Sequence, residues 1–128
     1  MRLLLDTHLL LWAAATPERL SAPAMELIEN PANELLFSAA SIWEIVIKSG
    51  LGREDFRVDA RELRQALLAN GYQELAVSAL HALTLADLPT IHKDPFDRIL
   101  LAQAMRDELT LMTADAALAH YPGPIIRV

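Results

Sequence analysis

The sequence predicts an α/β chain, a three-layer α/β/α sandwich built on a parallel five-stranded sheet. Two observations carry that expectation. Short apolar runs alternate along the chain with longer segments of helical spacing, and strands separated by helices pair in parallel through right-handed crossovers. The runs also show little in–out alternation, as strands covered on both faces do.

Residues 2–5 form an apolar run ending at Asp6 and read as a buried strand. Residues 8–15 follow with a helical pattern. Ser21 caps a helix to about Glu29, which Asn30-Pro31 stops. Residues 34–37 read as the second strand, and Ser38 caps a helix to Ser49 with Gly50 at the C′ position. Asp59 caps the next helix, which runs to Asn70 and closes on Gly71. Residues 74–77 read as the third strand, and Ser78 opens a helix toward Asp87 that Leu88-Pro89 breaks. Asp94-Pro95 is a strong start signal, a cap followed by proline at the first helical position. That helix is expected to reach about Glu108. Residues 109–113 read as the fourth strand, 115–120 as a short helix and 125–128 as the fifth strand. Periodicity leaves the strand order open.

The 128 residues are expected to form one domain, 1–128, large enough to bury a core without staples. No repeat, low-complexity segment or linker divides it. With 24 Leu and 21 Ala the composition favours closely packed helices, and 53% hydrophobic residues exclude a disordered chain. The lack of cysteine excludes disulfides, zinc–thiolate sites and thiol catalysis. The longest apolar stretch, residues 9–15, is too short to span a bilayer, and Asp6 and His8 interrupt the N-terminus where a signal peptide would be apolar. The expectation is a cytoplasmic protein with no membrane partner. A formal charge of −6 gives bulk electrostatics no pull on a polyanion, so handling one requires local basic residues or metal ions.

The acids carry the chemistry. In open parallel sheets, sites form beyond the carboxyl ends of the strands. Asp6 follows the first strand, Asp115 lies two residues beyond the fourth, and Asp97 sits in the first turn after the Asp94 cap. Glu44 lies in the helix after the second strand and joins the others if that helix crosses the same edge. Clustered carboxylates repel one another, and a hard divalent ion such as Mg²⁺ or Mn²⁺ relieves the repulsion. A water on the ion then serves as attacking hydroxide while the ion steadies charge on a phosphate, which cleaves a phosphodiester without a nucleophilic side chain.

Each acid also has a structural reading. Asp6, Asp94 and Asp115 suit helix caps, and Asp97 complements a helix dipole that would also keep it ionised. Glu44 has Lys48 four residues on, the spacing of a surface ion pair. His8, His81, His92 and His120 lack metal-type spacing. Ser38 and Ser41 read as a cap and a helix-face hydroxyl, and Thr113 as strand packing ahead of its alternative role of orienting a metal-bound water. Lys48, Arg53, Arg57, Arg61 and Arg64 are interleaved with Glu54, Asp55, Asp59 and Glu62, a solvated mixed-charge face. Lys48 and Arg98 are the stronger candidates for phosphate contact. Trp12, Trp43 and Leu67 read as core, with a partly exposed Leu/Trp patch as a possible dimer surface.

Four motifs now stand in order: Leu-Leu-Asp-Thr-His at 4–8, Ser-Ile-Trp-Glu-Ile with Lys48 at 41–48, His-Lys-Asp-Pro-Phe-Asp-Arg at 92–98, and Thr-Ala-Asp at 113–115. With them the chain resembles the PIN-domain family, and within it the VapC-type ribonuclease toxins of toxin–antitoxin pairs. The resemblance covers essentially the whole chain. It implies a Mg²⁺- or Mn²⁺-dependent endoribonuclease in which Asp6, Glu44 and Asp97 match the family's principal metal-site acids. Asp115 matches a fourth, less regular one. It further implies an RNA substrate, a homodimer and a small cognate antitoxin that occludes the site. The charge of −6 fits a basic antitoxin segment. Asp94 shares the motif with Asp97 but keeps its cap role.

Two other functions compete. A phosphoacceptor receiver domain suits the size and the α/β alternation. It resembles a class with paired acids at the first strand, an acceptor Asp after the third and a late Lys. Here Asp6 stands alone, Ser78-Ala79-Leu80 follows the third strand, and no Lys lies beyond Lys93. A PIN fold that only binds RNA or a partner is the other, opposed by intact acids at every matched position.

Overall fold

Leu3, Leu4 and Leu5 are fully buried, and their strand, β1 (Arg2–Leu5), lies at the middle of the sheet. The computed structural model describes residues 1–90 and 93–128. His92, weighed above among the histidines, lies outside the described residues. After β1 come α1 (Thr7–Ala15), α2 (Ala22–Glu29), β2 (Glu34–Ser38), α3 (Ala39–Gly50) and α4 (Ala60–Ala69). There follow β3 (Gln73–Leu75), α5 (Ala79–Thr84), α6 (Pro95–Arg106), β4 (Thr110–Thr113) and β5 (Ile125–Arg127).

All the strand pairings are parallel, in the order β3-β2-β1-β4-β5. Leu4 lies opposite Leu36 on one side and Leu111 on the other. Successive side chains of a strand point to opposite faces, so β1 feeds two cores. Leu3 and Leu5 join Phe37, Ile45, Leu63 and Met112 under α1, α2, α3 and α4. Leu4 joins Leu36, Leu100, Leu101 and Leu111 under α6. This is the expected three-layer sandwich. No helix among the described residues is long and apolar enough to cross a membrane.

The predicted caps are in place. Ser21, Ser38, Asp59, Ser78 and Asp94 each accept a hydrogen bond from the first turn of the helix that follows. The helix opened by Ser78 ends at Thr84, where a 3₁₀ turn, Leu85–Asp87, takes over, and further boundaries differ from expectation. Gly50 is inside α3 rather than beyond it, and the chain turns left-handed at Gly52, with φ 75°. Gly50 faces open space, so nothing there forces the helix to stop. The third strand is Gln73–Leu75, earlier and shorter than 74–77, because that is the stretch in register with Leu36, Phe37 and Ser38. The last long helix stops at Arg106, not Glu108. Glu108 adopts φ 57° and the Leu109 amide closes on the Ala104 carbonyl at 2.8 Å, a helix stop made without glycine. The 115–120 segment has a single 3₁₀ turn, Leu118–His120. Sequence reasoning also missed the 3₁₀ turns Pro17–Arg19 and Glu54–Phe56.

Candidate active site at the edge between β1 and β4

Strand order sets the place. The chain moves one way from β1 through β2 to β3, then returns to the other side of β1 for β4 and β5. The reversal between β1 and β4 opens a crevice at the carboxyl ends of those strands, where such sheets take their ligands. Asp6 directly follows β1, and Asp115 follows β4 by two residues. Both line a small pocket of about 250 Å³ with His8, Trp12 and Ala114.

Asp6 is 5% exposed, and each of its oxygens accepts a hydrogen bond. Its Oδ1 accepts the Leu9 amide at 3.0 Å, capping α1, and its Oδ2 accepts the Thr113 hydroxyl at 2.5 Å. Thr113 in turn accepts the Asp115 amide at 3.0 Å. One buried hydroxyl therefore ties the two acid-bearing loops together, a role beyond the strand packing expected of it. Burial pushes the Asp6 carboxyl above its ordinary range. The Thr113 and Leu9 hydrogen bonds and nearby His8 pull it down, while the Asp115 charge pushes it up again.

Glu44 is 2% exposed, so its pair with Lys48 is not the surface pair that the i, i+4 spacing suggested. Lys48 Nζ donates to Glu44 Oε2 at 2.5 Å, and Thr7 Oγ1 donates to Glu44 Oε1 at 2.7 Å. The Thr7 and Ser41 hydroxyls are 2.9 Å apart. A hydroxyl has one proton to give, so with Thr7 committed to the carboxylate, Ser41 donates to Thr7. Thr7 thus couples the residue after Asp6 to Glu44. Sequence reasoning passed over it, although a polar residue directly after a strand-ending aspartate, in a helix otherwise turned to the core, was a usable signal.

Asp94 caps α6 through the Phe96 amide at 2.9 Å and the Asp97 amide at 3.4 Å, and its Oδ2 lies 3.9 Å from Lys48 Nζ. Asp97 is half-buried in that first turn. Lys48 also lies over the rings of Phe56 at 4.9 Å and Phe96 at 5.8 Å, so the start of α6 packs against α3 at this lysine. Arg98 turns toward the Leu85 carbonyl at 3.4 Å. The interleaved charges near α4 pair among themselves, as in Arg53–Asp55, Arg57–Glu54 and Arg64–Glu74. Trp43 is 62% exposed rather than core, while Leu67 is buried.

The fold therefore gathers Asp6 and Asp115 in one pocket and Glu44 with Asp94 around one ammonium. Among the described residues no three Asp, Glu or His side chains stand together as a ready metal cage. His81 does other work. Its Nδ1 accepts the Ser78 amide at 3.0 Å and its other ring nitrogen meets Asp107 Oδ2 at 3.0 Å, which fastens α5 to the end of α6.

The PIN domain profile matches residues 3–124. The chain belongs to the PIN-domain family, in its VapC branch. It is 31% identical over 122 residues to Ribonuclease VapC22 of Mycobacterium tuberculosis, covering 94% of this chain and 92% of that protein. Two solved structures share the fold. VapBC2 from Rickettsia felis, bound to a DNA fragment from its promoter, matches with a TM-score of 0.72 at 16% identity, covering 99% of this chain and 98% of that one. A toxin–antitoxin complex from Klebsiella pneumoniae matches with a TM-score of 0.61 at 21% identity, covering 96% and 94%.

Proposed function

We propose that this chain is a divalent-metal-dependent endoribonuclease of the cytoplasm, the toxin of a toxin–antitoxin pair. The observation that carries the reading is the Asp6–Asp115 pocket at the β1–β4 edge, where a buried carboxyl faces a second negative charge. Hard oxygen donors with surplus negative charge suit Mg²⁺ or Mn²⁺. Asp6, Asp97 and Asp115 would hold the ion, with Glu44 beside them. The ion, when bound, stabilises charge on the scissile phosphate and makes water a better nucleophile at neutral pH.

The chain's own residues do the rest. Thr113 and the α1 amide fix both oxygens of Asp6. Asp94 fixes the turn that carries Asp97. The amino ends of α1 and α6 favour negative charge, on carboxylate and phosphate alike. Arg19 lies 5.1 Å over the ring of Trp12, a residue that lines the pocket, which brings a cation near it in an acidic protein. Support for a small antitoxin comes from the toxin–antitoxin complex that this chain resembles. Trp43, Val46, Leu80 and Leu83 stay exposed, an apolar surface that a second copy would cover. Light scattering at twice the chain mass checks that dimer, and a stable monomer contradicts it.

The purified chain should cut single-stranded RNA with Mg²⁺ or Mn²⁺ and stop on chelation. Asp6→Asn and Asp97→Asn should each slow cleavage by at least about a hundredfold while keeping the wild-type circular dichroism, since even outer-shell partners of metal ligands are worth 10–100-fold. Full activity in both variants overturns the proposal. The second reading, a PIN fold that only binds RNA, is favoured by the lack of a preformed three-donor group among the described residues. Retention of intact RNA under all metal conditions would select it.

A further inference from the structure

The acids at this edge stand in two unlike settings, and Lys48 belongs to one of them. On one side both hydrogen bonds to Asp6 come from neutral donors, the Thr113 hydroxyl and the Leu9 amide, while Asp115 adds like charge and His8 opposes it. On the other, Glu44 has both oxygens engaged, and one of its partners is a full positive charge. That lysine is itself withdrawn from water, its side chain 15% exposed against 3% for Glu44. Asp94 is within 3.9 Å of it, and the faces of Phe56 and Phe96 flank it. A lysine on an open surface keeps its ammonium largely in water. This one is gripped by two carboxylates and two rings, on a helix whose i, i+4 spacing brings Nζ directly to Glu44.

Phosphodiester hydrolysis at clustered carboxylates often uses a pair of cations, one on each side of the reacting phosphate. We infer that here one of the two positions is filled by the chain itself: Lys48 serves as the second cation, and the site takes a single divalent ion on the Asp6 side. The inference rests on the metal-dependent reading above. Its physical basis is charge. A divalent ion beside Glu44 would meet an ammonium already bonded to that carboxylate, and would have to drive it out of a pocket built around it. Removing the ammonium instead leaves Glu44 buried without a counter-charge, which is strongly unfavourable. A second ion then relieves what the first could not.

The test counts ions rather than products. Mn²⁺ titration of the full chain, followed by calorimetry and by the loss of the free-ion paramagnetic signal, should give one ion per chain for the wild type. It should give two for Lys48→Met. The Lys48→Met protein should melt lower than wild type in chelator and recover most of that loss when Mn²⁺ is added. Lys48→Arg keeps the charge and should stay at one ion, which preserves the test if Lys48→Met does not fold. Two ions on the wild type, or one ion on Lys48→Met with the wild-type response to Mn²⁺, overturns the inference and leaves the metal-dependent reading standing. No Mn²⁺ bound by the wild type at millimolar concentration overturns both.

Discussion

Asp6 serves the fold and the candidate site at once, and the two uses conflict. As a cap it steadies α1, yet its burial opposes its own charge. The sign follows from linkage. The unfolded chain ionises Asp6 at the ordinary carboxyl value, whereas the folded chain without metal holds the proton more tightly. Stability from this group is therefore greatest in acid and falls as pH rises through the ordinary value toward the raised one. Asp6→Asn removes that slope. In chelator, the melting temperature of the variant should gain on wild type between about pH 4 and neutrality; a constant difference across that range contradicts the assignment. A substitution that abolishes activity would thus make the folded chain relatively sturdier at neutral pH, as happens where a site keeps charge under strain. The acids themselves were legible in the sequence, because strand-ending and helix-starting positions announce themselves. Of their partners only Lys48, one helical turn from Glu44, stood at a readable spacing. Thr113 and Thr7 reach Asp6 and Glu44 across chain separations that periodicity does not bridge.

Helix starts were read correctly, whereas the ends of α3 and α6 were not, for a physical reason. A start is chemical: an oxygen on Ser or Asp accepts a specific amide, and the residue type shows it. An end is conformational, and here it falls to Glu108, a residue type that gives no sign of a left-handed turn. Gly50 showed the opposite failure, a residue suited to a stop but left inside α3. The cap that matters most for the site is Asp94, which orders the turn bearing Asp97. Asp94→Ala should cost about 0.5–2 kcal/mol in urea unfolding, whereas Asp94→Asn should remain within a few tenths of wild type, since Asn caps as well as Asp. Equal losses would mean that the charge facing Lys48, rather than the cap, is what the fold uses.

At the level of the whole molecule, the alternation of strands and helices gave the layers, but not the order of strands. Apart from β3, whose exposed Gln73 and Glu74 suit an edge, the strands are short and apolar enough to sit beside one another, so little local separates β3-β2-β1-β4-β5 from its rivals. That order is what makes the distribution of acids meaningful. It puts the reversal between β1 and β4, and so brings Asp6 and Asp115, 109 positions apart in the chain, to one crevice. The sequence places Asp6, Glu44, Asp97 and Asp115 near one edge. Asp6 and Asp115 line the crevice there, and Glu44 stands with Asp94 around Lys48. Anomalous diffraction from crystals soaked in Mn²⁺ examines that arrangement directly. A peak in contact with the Asp6 carboxylate, in the crevice it shares with Asp115, is the expected result. Saturating Mn²⁺ that leaves this crevice without a peak, in crystals of a protein that still cuts RNA, would contradict it.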